Sequence, residues 1–178
     1  MPWKNGQGES LQIEIFPPLA DFSRSEFMWR LSSAKITGRN SFSLFPDHDR
    51  LLSVLSGGAL ELNSKTLIKA FSVFSFSGSD EITCELRGGD IVDLGLIYNR
   101  KCFDASMRFE LIDQKPQSLK LSDGINFVIC ASSEMILNES KLEFLDTCKF
   151  EGEQEIRVWA PNSKARIGIV RILSRKEA

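Results

Sequence analysis

The chain contains one histidine, His48, and no pair of cysteines in CxxC spacing. A structural zinc site needs several thiolate or imidazole ligands held close together, so none is expected. Cys84, Cys102, Cys130 and Cys148 read instead as reduced thiols packed in the core; a nucleophilic role would need a base beside one of them, and the sole histidine lies in a different motif. No apolar run approaches the roughly 18 residues of a membrane helix. The opening Met1-Pro2-Trp3-Lys4 carries no apolar targeting segment, so the expected compartment is the cytoplasm, with no membrane partner. A basic stripe is also missing. The 22 Lys and Arg and 24 Asp and Glu are mixed along the chain for a formal net charge of −2, which leaves nucleic-acid binding without electrostatic support. Nowhere does a long 3.6-residue apolar stripe point to a helix.

What the chain does have is alternation. Leu11, Ile13 and Ile15 alternate with Gln12 and Glu14, and Met107, Phe109 and Leu111 with Arg108 and Glu110. Phe71 to Phe76 and Ile125 to Cys130 carry further period-2 runs. Successive side chains of a strand face opposite sides, so these runs predict half-buried strands. Thirteen phenylalanines favour strands as well. Gly57-Gly58, Ser77-Gly78, Gly88-Gly89, Asp123-Gly124 and Gly152 punctuate the runs at turns. Short strands with frequent turns predict an all-β sandwich or barrel.

The pattern repeats. Arg50–Asn63 (RLLSVLSGGALELN) aligns without a gap on Ile125–Asn138 (INFVICASSEMILN). After one deletion Phe76, Gly78, Glu81 and Ile82 meet Phe150, Gly152, Glu155 and Ile156. Two copies predict two pseudo-symmetric barrels fused into one unit, residues 1–105 and 106–178. The copies share apolar and turn positions, which are scaffold. Their polar positions differ, and the first copy carries the more unusual ones, so the site is expected there.

Four polar stretches stand out: Pro2-Trp3-Lys4-Asn5-Gly6-Gln7-Gly8; Trp29-Arg30-Leu31-Ser32; Phe42 to Arg50 with Leu55-Ser56-Gly57-Gly58; and Asp93-Leu94-Gly95-Leu96-Ile97-Tyr98-Asn99-Arg100. In this order and spacing they resemble the HutD/Ves family of bicupins. The resemblance covers most of the first two-thirds of the chain. It implies a double-stranded β-helix (cupin, RmlC-like) fold and a link to histidine utilization for HutD members or to cold and stress response for Ves members. It further implies a small-molecule site in the first barrel, with Trp3, Lys4, Asn5, Gly6, Trp29, Arg30, Arg50, Asp93 and Arg100 as matching residues. There are departures. Ser10 and Gln12 stand where the family often has Thr and Glu, Gln7 and Asp47 replace glycines, and Gly95 stands where Asn is frequent. The chain begins inside the first motif, where family members usually carry a preceding strand, so a segment before Met1 is expected.

Each polar residue has a functional and a structural reading. Arg30, mid-strand, either forks a ligand carboxylate or pairs with a buried acid such as Asp93 or faces solvent. Arg50 either closes a barrel mouth or makes a surface ion pair with Asp47, Asp49 or Glu61. Lys4 to Gly8 either cradles an anion with backbone N–H groups or caps the barrel as a turn; it lacks the GxxxxGK(S/T) spacing of a P-loop. Asp93 either faces the cavity, orienting Arg30 or Lys4, or ends the Asp90 turn. His48, between Asp47 and Asp49, reads as exposed, and a metal cupin needs more than one histidine. Phe71, Phe74 and Phe76 read as core rather than a base-stacking platform.

The expectation is a metal-independent binder of a small anionic metabolite, with Lys4, Asn5, Trp29, Arg30, Arg50 and Asp93 around the ligand, no cofactor, and a regulatory or accessory role. One alternative is a metal-free isomerase or lyase using Lys4, Asp93 and Tyr98 as acid–base groups. Another is a protein-interaction module with a filled barrel. Barrel edge strands make a homodimer plausible.

Overall fold

The computed structural model describes residues 8–175. The chain divides into two units between Cys102 and Phe103. The first holds β1 (Gly8–Phe16), β2 (Trp29–Ile36), β3 (Asn40–Ser41), β4 (His48–Leu62), β5 (Thr66–Ile68), β6 (Val73–Ser77) and β7 (Thr83–Asn99). They form one sheet in the order β1-β2-β7-β4-β5, with β3 on β7 and β6 on β4. The second unit holds β8 (Phe103–Ile112), β9 (Gln117–Leu121), β10 (Ile125–Cys130), β11 (Met135–Leu137), β12 (Ser140–Leu142), β13 (Thr147–Glu151), β14 (Gln154–Trp159) and β15 (Ala165–Ser174). These form two four-stranded sheets, β13-β10-β15-β8 and β12-β11-β14-β9. The only helical turn among the described residues is Phe22–Arg24, in the loop between β1 and β2.

Alternation does set the faces. In the first unit Leu52, Val54, Leu60 and Leu62 of β4 turn inward with Ala34, Ile36, Ile68, Phe76 and Ile91; Phe74 packs against them. In the second, Val128 and Cys130 of β10 join Met135, Leu137, Ile156, Val158, Ile167 and Ile169. Burying such side chains contributes roughly 1.5–3 kcal/mol each.

The aligned segments build the same turn twice. Asn63 and Asn138 adopt left-handed backbone, φ 48° and 45°, a conformation asparagine tolerates well. Each accepts a backbone N–H on its side-chain oxygen at 2.8 Å, from Thr83 and Arg157 respectively. Each returns its own N–H to that residue's carbonyl at 2.9 Å. The strand pairs correspond as well: β2, β4, β6 and β7 pair in the first unit as β8, β10, β13 and β15 do in the second. By register, however, the inward counterpart of Arg50 is Asn126: Arg50 faces Phe76 and Ile97, and Asn126 faces Phe150 and Arg171. The ungapped alignment, which sets Arg50 on Ile125, passes over irregularities in β4 between Val54 and Ser56 and between Gly57 and Ala59.

Gly78 fixes the loop ahead of β4. Its N–H and carbonyl bond His48 O and Phe45 N–H at 2.8 Å, and a Cβ there would run into the Phe45 carbonyl. Only glycine permits that approach.

Candidate functional site

One row of side chains crosses the first sheet on its inner face. Strand register sets Ile15, Arg30, Ile97, Arg50 and Phe76 side by side on β1, β2, β7, β4 and β6. The next row down β7 pairs Ser32, Gly95 and Leu52. The third places Asp93 beside Val54. Period-2 geometry thus brings Arg30, Arg50 and Asp93 to the same face.

Arg30 is only 5% exposed. Its Nε donates to Gln12 Oε1 at 3.1 Å and its Nη1 to Ser32 Oγ at 2.9 Å. The guanidinium lies 4.3 Å from the Phe22 ring centre, so the loop after β1 covers it. Arg50 is half-buried. It sits among Phe42, Phe76 and Phe45 at 4.6, 5.2 and 6.0 Å, a cation–π environment, and its Nη1 donates to Ser43 O at 3.1 Å. Asp93 is 6% exposed. Its Oδ1 accepts the Ala34 N–H at 2.7 Å, and its carbonyl accepts the Ser33 hydroxyl at 2.6 Å.

Among the described residues neither guanidinium reaches a carboxylate within ion-pair distance. The surface acids that sequence offered to Arg50 are engaged elsewhere: Asp49 with Arg100 at 2.7 Å, Asp47 with Lys101 at 3.0 Å, and Glu61 with Arg87. The acceptors that Arg30 and Arg50 do have are neutral, an amide, a hydroxyl and a carbonyl.

Burial acts on all three ionisable groups. It lowers Arg50 to about 10, with Asp93 opposing and Arg30 reinforcing the shift. It lowers Arg30 as well, against the pull of Asp93. It raises Asp93 to about 7, although the Ala34 N–H, Arg50 and Arg30 all favour its ionised form. Desolvation therefore outweighs attraction at Asp93. The cluster is electropositive: two charged guanidiniums face one carboxyl that is partly protonated near neutrality.

Other expected residues fall elsewhere. Lys4 and Asn5, with Trp3 and Gly6, lie outside the described residues. Trp29 points to the opposite face from Arg30, is fully buried and stacks on Phe16 at 5.7 Å. Tyr98 shares the row of Trp29 and Asp49, so it faces away from Asp93 and does not form an acid–base pair with it. His48 is a correction to the expectation of exposure: it is 5% exposed. Its Nε2 lies 2.9 Å from Phe27 O, and its ring packs on Phe27 and Phe45. Phe27 comes from the β1–β2 loop, which sequence gave no reason to fold over His48. Arg100 holds the loop before β4, donating to Asp49, Pro46 O, His48 O and Ser77 Oγ. Asp93 lies inside β7 rather than at a turn. Burial raises the thiols of Cys84, Cys130 (to about 11) and Cys148, which suppresses thiolate chemistry. No group of three or more His, Cys, Asp or Glu side chains is arranged to hold a metal among the described residues.

Sequence reasoning passed over Ser32, Phe22, Phe42 and Phe45 as neighbours of the guanidiniums. Ser32 was within reach, since i and i+2 share a strand face. The phenylalanines come from loops, where no period applies.

A family model described as HutD matches residues 1–167. Protein Ves of Citrobacter koseri is 29% identical over 169 residues, covering 91% of this chain and 84% of that protein. An uncharacterized 21.2 kDa protein in the hutC 3' region of Pseudomonas putida is 31% identical over 166 residues, covering 88% of this chain and 84% of that one. The structure of HutD from Pseudomonas fluorescens SBW25 (formate condition) superposes with a TM-score of 0.77 at 26% identity, covering 99% and 94% of the two chains. A cupin 2 conserved barrel domain protein from Leptotrichia buccalis superposes at 10% identity with a TM-score of 0.54, covering 97% and 92%, a likeness of fold alone. The fold is that of the cupins, and no helix among the described residues is long and apolar enough to cross a membrane.

Proposed function

The chain belongs to the HutD family, and on that premise we propose that its first unit binds a small anionic metabolite without a metal ion, in a regulatory or accessory role. The observation that carries the reading is the pair Arg30 and Arg50. Both guanidiniums flank Ile97 on the inner face, and among the described residues neither is within ion-pair distance of a carboxylate, Asp93 acting on both only from further away. A buried cation without a counter-charge is costly. A bound carboxylate removes that cost and takes charge-assisted hydrogen bonds from both. The hutC 3' setting of the P. putida relative favours a histidine-degradation product as the metabolite.

A thermal-shift screen of the whole chain against histidine, urocanate, formylglutamate, glutamate and unrelated small acids tests this. A ligand at about 100 times its Kd adds about 2.7 kcal/mol, a rise of roughly 5–10 °C for a chain of this size. Arg30→Ala and Arg50→Ala are expected to fold and to lose the rise. Wild-type shifts that survive in both variants would overturn the site. A screen with no shift at all would overturn the function.

A second reading, a metal-free enzyme, draws on one observation: a buried carboxyl held at about 7 is suited to proton transfer at neutral pH. Turnover of one of the same acids, abolished by Asp93→Asn, would select it over simple binding.

A further inference from the structure

Gly95 is an odd residue to find in the middle of a central strand. Interior glycine weakens a strand and gives it nothing to pack. The backbone does not demand it, because Gly95 is not among the positive-φ glycines. Space does not demand it either. A Cβ there would meet only Leu52 Cδ1 at 3.9 Å and Ser32 O at 4.0 Å, ordinary van der Waals contacts.

Its place explains it better. Gly95 lies on the inner face between Ile97, flanked by the two guanidiniums, and Asp93. Its same-face neighbours Ile97 and Asp93 are buried, yet Gly95 itself is partly exposed. Arg30 leans over this row through its bond to Ser32 Oγ. The second unit shows the alternative. There the register-equivalent residue is Ile169, opposite Val128 and Arg108 on β10 and β8. It is 0% exposed and part of the apolar core.

Resting on the anion-binding reading above, we infer that Gly95 is the specificity-determining residue of the site. Its bare backbone is the floor over which a carboxylic acid extends from the Arg30–Arg50 pair to Asp93. The chemistry of the two ends defines the ligand class. Two guanidiniums and one carboxyl leave a net positive charge of at least one, which a bound carboxylate offsets. A second anionic group would be set against Asp93, whereas a hydroxyl or amide N–H finds there an acceptor with one oxygen already committed to Ala34. The ligand is thus a monocarboxylate bearing a neutral hydrogen-bond donor away from its carboxylate.

The test is calorimetric titration of the whole chain with acetate, butyrate and 4-hydroxybutyrate, using wild type, Gly95→Ala and Asp93→Asn. Wild type is expected to prefer 4-hydroxybutyrate to butyrate by about tenfold, the scale of one hydrogen bond in such a site. Gly95→Ala should melt at or above the wild-type temperature, keep its acetate affinity within about twofold, and lose about tenfold on 4-hydroxybutyrate. Asp93→Asn should reduce the hydroxyl preference and leave acetate binding in place. If Gly95→Ala binds all three acids as wild type does, or if wild type shows no hydroxyl preference, the inference falls and the anion site stands. If wild type binds none of them and none of the screened acids, both fall together.

Discussion

The two units run matching strand pairs around opposite interiors. Across the first, the inner rows read Arg30–Ile97–Arg50, Ser32–Gly95–Leu52 and Asp93–Val54. Across the second, the rows in register read Ser106–Arg171–Asn126, Arg108–Ile169–Val128 and Glu110–Ile167–Cys130. Where one has Asp93 and Gly95 on its central strand, the other has Ile167 and Ile169, both fully buried. Four strands pair alike in the two units, and what fills the rows between them differs. Val128, Ile167 and Ile169 fill the centre of the second with branched apolar side chains, which stabilise by burial, and its buried polar residue is Asn126. The first holds two guanidiniums whose hydrogen-bond acceptors are all neutral, which costs stability and is a common signature of a site.

Exchanging residues between the two interiors gives the largest expected effect. Ile167→Asp places in the second unit the carboxyl that the first one tolerates. With no guanidinium pair in that row, the loss is expected to reach about 4 kcal/mol or more, read as a lower urea midpoint. A loss below about 1 kcal/mol would mean that the second interior is also adapted to polar groups.

Gln12→Glu sharpens the contrast from the other side. Gln12 gives Arg30 a neutral acceptor at 3.1 Å. A carboxylate there supplies the missing counter-charge internally, so affinity for acetate should fall about tenfold while stability holds or rises. Unchanged affinity would take Arg30 out of the anion clamp.

The smallest effect is that of pH. Asp93 feels Arg30 from β2 and Arg50 from β4, and its charge in turn acts on the Cys84 thiol of the same strand. Its folded value of about 7 lies above the ordinary 3.8, so the folded state binds the extra proton. Stability from this group is full below about pH 4 and is lost as pH rises through about 7. An acetate beside it meets less repulsion when Asp93 is protonated. Acetate affinity should therefore increase severalfold from pH 8 to pH 6 in wild type and stay level in Asp93→Asn. A flat wild-type profile would separate Asp93 from the ligand.

Much of this was legible from the chain. Local pattern puts Arg30 mid-strand and leaves Asp93 between a cavity-facing position and the Asp90 turn; once β7 is known, counting by twos unites Asp93, Gly95 and Ile97 on one face. The same count excludes Tyr98, five residues from Asp93. The Asn63 and Asn138 turns could be read from the repeat itself. The rest depends on pairings across the sequence that no local pattern carries. Arg50 lacks its acids because Arg100, Lys101 and Arg87, distant in the chain, hold them first. His48 is buried because Phe27, 21 residues upstream, supplies its carbonyl partner, while Asp47 and Asp49 on either side made the segment look solvated.

That buried imidazole has a practical use. His48 is the sole histidine in the chain, and its ring packs on Phe27 and Phe45, 4.7 and 6.1 Å away. Phe27 and Phe45 both touch Phe22, the ring that lies over Arg30, and Phe45 also borders Arg50. The protein therefore carries one built-in magnetic reporter. Its ring-proton resonances belong to a single residue, and aromatic ring currents couple them to any rearrangement of the rings around the two guanidiniums.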